Sequence, residues 1–158
     1  RVEIEIADYL SKVSRLEMSE TASIQVRGML SITNDLERVG DIFYQISKAL
    51  EKKESEKIYF TPEQREELNN MISVVDKAFV TMNSNLEADT KNVDLKEAIE
   101  IEQKINKLRN KLRKQYLKDL ESGDSNIQGG LIYSNVFSSL EKVGDHVINV
   151  SEALAGEI

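Results

Sequence analysis

The chain has 158 residues, 28 acidic against 21 basic for a net charge of −7, with no cysteine, one proline and 6% aromatics. Without cysteine there are no disulfides or thiolate metal sites, and the acidic balance argues against a nucleic-acid binder, which needs a basic surface. No apolar run reaches the roughly 18 to 20 residues of a membrane-spanning helix. The length suffices for one domain with a real core, and the abundance of helix formers, with no strand-like alternation, predicts an all-α fold.

Apolar positions spaced for a 3.6-residue turn, with their caps, predict five helices. The first covers 1–17 through Val2, Ile6, Tyr9 or Leu10, and Val13. Its spacing is already under way at Arg1, so we expect a longer protein cut inside a helix. Ser19 or Thr21 caps the second, whose stripe is Ile32, Leu36, Val39, Phe43, Ile46 and Leu50. The charge-mixed EKKESEKIYF after it is expected to fray into a linker.

Thr61-Pro62-Glu63-Gln64 supplies an N-cap, a proline at the first helical position and a reciprocal glutamine, the clearest helix start in the chain. Leu68, Met71 or Ile72, Val75, Phe79, Met82 and Leu86 face inward from this third helix. Asp94 with Glu97 opens a fourth, with Leu95, Ala98, Ile101, Ile105, Leu108, Leu112 and Tyr116 inward and Gly123 at its end. Asp124 or Ser125 caps the last, which buries Ile132, Val136, Leu140, Val143, Val147, Val150 and Leu154.

The second and fifth helices repeat one another. LERVGDIFYQISKAL from Leu36 and LEKVGDHVINVSEAL from Leu140 match at an offset of 104, with 8 identities in 15 positions. The first and second helices then correspond to the fourth and fifth. The third opens a complete second repeat, and its counterpart in the first repeat would lie upstream of Arg1.

Within the repeated segment, Glu141 interrupts a second apolar line of Tyr133, Phe137, Gly144 and Ile148, and Asp145 follows one turn later on the same face. Glu37 and Asp41 do the same beside Met29, Thr33, Gly40 and Tyr44. Desolvating like charges at this spacing costs several kcal/mol, roughly, unless an arginine, a proton or a cation compensates. Oxygen ligands favour hard ions. Gly40 and Gly144 each cost a helix about 1 kcal/mol relative to alanine, and we expect close approach of a neighbour at both. Packing of solvated carboxylates, without a ligand, is the competing reading.

The pair LERVGD and LEKVGD, 104 residues apart in a helical chain, resembles the repeated motif of the PhoU family. The resemblance implies an antiparallel bundle of two pseudo-symmetric three-helix repeats, whose Glu/Asp-x-x-x-Asp motifs bind metal and which regulates phosphate uptake without catalysis. Residues 1–158 would form one such domain, with 1–55 a first repeat lacking its first helix and 62–158 a complete second one. The metal ligands implied are Glu37, Asp41, Glu141 and Asp145, with Glu102 from the preceding helix, holding a divalent or trivalent ion such as Mg, Mn, Zn or Fe. Asn106 stands where a second acid is expected beside Glu102, which weakens that half-site.

PhoU-like domains also occur as cytoplasmic regions of bacterial sodium/phosphate cotransporters. The resemblance therefore implies a transporter membrane domain, in the same chain or complex, as partner, and a place on the cytoplasmic side tethered to the inner membrane. A free-standing regulator and a structural adaptor are the alternatives. Apolar stripes left open by the missing helix lead us to expect a homodimer, unless the second repeat packs across them.

His146 is the only histidine and reads as a surface or packing residue. Its spacing from Glu141 rules out the Glu-x-x-His pattern of di-iron bundles. No nucleophile set or phosphate loop is present. Lys107, Arg109, Lys111, Arg113 and Lys114, within the run from Lys104 to Lys118, read as charges spread around a solvated helix.

Overall fold

The computed structural model describes residues 2–88, 92–123 and 126–156. They form α1 (Val2–Val13), α2 (Glu20–Ser55), α3 (Pro62–Glu87), α4 (Leu95–Ser122) and α5 (Ile127–Ala155), and no strand occurs among them. The all-α fold of five helices is the expected one.

Most helix starts follow from the expected side chains. The Ser19 hydroxyl accepts from the Ala22 amide. Thr61 and Gln64 form the reciprocal capping box, at 3.2 and 3.0 Å, with Pro62 behind it. Asp94 accepts from the Glu97 amide at 2.9 Å, and Gly123 ends α4 in the left-handed region at φ 73°.

Three boundaries differ from expectation. α1 stops at Val13 because the chain tightens into i→i+3 turns, Arg15 N donating to Lys12 O and Leu16 N to Val13 O. α2 runs on to Ser55 through the charged segment, where Lys48–Glu51 and Lys52–Glu56 pairs join successive turns. The cap of α5 is Asn126, which accepts from the Gln128 and Gly129 amides; Asp124 and Ser125 lie outside the described residues.

The segment after α2 is no frayed linker. Ile58 and Phe60 are buried, Phe60 meets the Tyr133 ring edge-on at 5.9 Å, and the Lys53 ammonium lies over Phe60.

α5 is the central helix: α2, α3 and α4 all pack on it, while α1 packs on α2. The core joins Leu68, Met71, Val75 and Met82 of α3, Ile101, Ile105 and Leu112 of α4, and Val136, Leu140, Val143, Val147 and Val150 of α5. α2 departs from its expected stripe. Val39 is buried and Ile32 and Ile46 partly so, but Leu36, Phe43 and Leu50 remain about 40% exposed. Their counterparts Leu140 and Val147 are buried, because α3 and α4 both pack closely on α5, whereas Phe43 meets α3 only through the Phe79 ring, at 6.1 Å. Elsewhere on α2 an open groove of about 600 Å³ is lined by Ile6 and Tyr9 of α1, Met29 and Ile32 of α2, and Leu86 and Leu154.

Candidate functional site

α4 packs along α5 and brings Glu102, Asn106 and Arg109 towards Glu141 and Asp145. Glu102, Asn106 and Arg109 are four and three residues apart, so one face of α4 presents all three. Asn106 donates from its amide to the Glu102 carboxylate. Arg109 Nη2 donates to Glu141 Oε1 at 2.6 Å, an ion pair with the glutamate side chain only 14% exposed. The carboxylate that interrupts the apolar line therefore has an arginine as its counter-charge.

Asp145 has no such partner among the described residues. Burial, and then the neighbouring carboxylates of Glu141 and Glu102, raise its pKa above the ordinary 3.8, against smaller opposing effects of His146 and Arg109. Asn106 Oδ1 and Arg109 Nε are buried without a hydrogen-bond partner among the described residues, so the cluster is polar and under-satisfied at its α4 edge.

The donor chemistry of Glu102, Asn106, Glu141 and Asp145, all oxygen, suits a hard cation. In the present arrangement, no three His, Cys, Asp or Glu side chains among the described residues stand close enough to share an ion. Arg109 supplies the positive charge.

The two glycines of the repeated motif do different things. A Cβ on Gly144 would stand 2.9 Å from Ile105 Cδ1 and 3.3 Å from its Cγ2, so the glycine lets α4 approach beside Glu141 and Asp145. A Cβ on Gly40 would meet nothing within 4 Å, and the close approach expected there is absent among the described residues. Glu37 is partly buried and Asp41 exposed, and neither makes an ion pair or hydrogen bond among the described residues. The structure thus brings together Glu102, Glu141 and Asp145 but leaves Glu37 and Asp41 as a bare pair on α2.

Two polar anchors escaped the sequence reading. Asp35, 6% exposed, takes His146 Nδ1 at 2.8 Å and the Asn149 amide at 3.2 Å, joining α2 to α5. Asn85 bonds the Asp94 backbone and the Ser151 hydroxyl, joining α3 to both following helices. Their signal was an isolated polar residue on an otherwise apolar helix face. Arg109 carried another, its i+3 and i+7 spacing from Asn106 and Glu102.

A family model described as the PhoU domain matches residues 66–154, more than half of the chain, from within α3 to the end of α5. The chain belongs to the PhoU family. The match covers the helices that build the acidic cluster with Arg109. A curated relative, the phosphate-specific transport system accessory protein PhoU homolog 1 of Thermotoga maritima, is 31% identical over 129 residues, which is 78% of this chain and 52% of the relative. This PhoU-family chain thus spans about half the length of that protein. No solved structure matched.

Proposed function

We propose that this chain is a non-catalytic regulatory module in the control of phosphate transport, acting through protein contacts. The PhoU match over α3, α4 and α5 carries the reading, supported by the likeness to the Thermotoga maritima relative, named as an accessory protein of a phosphate-specific transport system. In its finer form the module is the cytoplasmic domain of a sodium/phosphate cotransporter, held at the inner membrane by the transporter. A free-standing regulator of uptake is the alternative. Phosphate uptake in cells producing the full-length protein, with and without residues 1–158, tests the regulatory role. An unchanged dependence of uptake on external phosphate would refute it.

Metal binding is a second reading, favoured by Asp145, which is half-buried between two like charges. A divalent or trivalent ion, of the Mg, Mn, Zn or Fe class, would take the oxygens of Glu102, Glu141 and Asp145 and displace Arg109 from Glu141. Glu37 and Asp41 would form a weaker site with fewer ligands. A homodimer belongs to the same proposal: α1 and α2 leave Tyr9, Met29, Leu36 and Phe43 about 40 to 70% exposed, and a second copy would cover them.

A further inference from the structure

The positive charge of α4 is sorted by residue type. From Lys104 to Lys118 the helix carries seven basic residues and no acidic one, in a chain of net charge −7. Lys104, Lys107, Lys111, Lys114 and Lys118 are spaced three, four, three and four apart, which places them on one face of a helix. At 1.5 Å per residue the line is about 21 Å long. All five are exposed. The reading of this run as charge spread around the helix holds only when the arginines are included. Arg109 and Arg113 leave the lysine line and border the cleft against α5, with Ser134, Ser138 and Glu141.

We propose that this lysine face is a docking surface for an anionic membrane. Lys111 is paired with Glu67 of α3; Lys104, Lys107, Lys114 and Lys118 make no ion pair among the described residues. Glu100, one turn before Lys104, and Glu121, one turn after Lys118, bound the line. The acidic remainder of the chain is repelled by the same surface, so the domain has one favoured orientation, with α4 down.

The chemistry of the line favours lipid headgroups over a protein. Protein interfaces are depleted in lysine and enriched in arginine and aromatic residues, and here the arginines point elsewhere and no aromatic side chain lies among the lysines. Lysine is a flexible point charge with no demand for bidentate geometry, suited to a fluid array of phosphates. Each lysine near an anionic surface shifts partitioning about five-fold.

Cosedimentation with vesicles of one part phosphatidylglycerol to three parts phosphatidylcholine tests the proposal. Binding is expected at about 50 mM salt, falling steeply towards 500 mM as the charges are screened, with none to phosphatidylcholine alone. The triple change Lys107→Gln, Lys114→Gln, Lys118→Gln should weaken it about 100-fold, with the helical circular dichroism unchanged. Lys48→Gln, Lys77→Gln, Lys142→Gln makes the same change of net charge at scattered exposed positions and should leave most binding in place. Failure to bind anionic vesicles at low salt, equal loss in the two triple variants, or tighter binding to an acidic peptide than to vesicles would overturn it.

Discussion

His146 Nδ1 lies 2.8 Å from Asp35 Oδ1, across the contact between α5 and α2. Asp35 is nearly inaccessible and receives Asn149 as well, so the pair fixes how α2 seats on the central helix. A buried acceptor that loses its donors costs about 1 to 3 kcal/mol. We expect Asp35→Ala and His146→Ala each to lower stability to urea within that range. In a double-mutant cycle the two should couple by more than about 0.5 kcal/mol. Strict additivity would show that the contact contributes nothing.

The glycines of the two motifs should respond with opposite signs. Gly40→Ala gains helix propensity, up to about 1 kcal/mol, in open space. Gly144→Ala gains the same but drives a methyl group into Ile105, which is 1% exposed and β-branched. Overpacking costs about 1 to 3 kcal/mol, so a net loss is expected. Thermal unfolding of the two variants side by side decides this, and stabilisation by both would mean that α4 yields easily.

Asp145 sets a pH dependence. Its pKa is raised in the folded protein, so its protonated form is the one that folding favours. The stability linked to this proton is fully present below the ordinary 3.8 and is lost as pH rises through the folded pKa. Asp145→Asn should therefore stabilise the protein near neutral pH, by under about 1 kcal/mol because water screens a partly exposed group. The gain should shrink as the pH approaches 3.8. Denaturant midpoints at several pH values check the sign.

Arg109→Ala removes the counter-charge of Glu141 and should cost about 1 to 3 kcal/mol in metal-free buffer. If the acidic cluster takes a cation, Mn²⁺ or Mg²⁺ should restore part of that stability. The restoration should vanish when Glu141→Gln is added. Identical unfolding curves with and without the ion would remove metal from the function of this cluster.

The exposed stripe of α1 and α2 predicts self-association. Sedimentation equilibrium should show a dimer that Phe43→Ser and Tyr9→Ser weaken, since each large apolar side chain contributes about 1.5 to 3 kcal/mol when buried. A species that stays monomeric at high micromolar concentration would contradict it.

The helices were readable because their causes are local. Thr61, Asp94 and Gly123 act on amides and carbonyls within one turn, and the stripes of α3, α4 and α5 are periodic in the chain itself. The length of α2 was misread at EKKESEKIYF because local charge suggested solvation, whereas Phe60 is held by Tyr133, 73 residues later in the chain. Pairing at that distance leaves no local pattern.

Sequence alone determined the all-helical class and the recurrence of LERVGD as LEKVGD with its four carboxylates, since each follows from composition or short-range spacing. Tertiary structure decided which copy of the motif is built into a cluster. LERVGD and LEKVGD are nearly identical, yet Gly144 receives Ile105 and Glu141 receives Arg109, while Gly40 meets open space. The difference lies in the neighbouring helix: α4 presents Glu102, Asn106 and Arg109 to α5, and no described helix offers α2 an equivalent face.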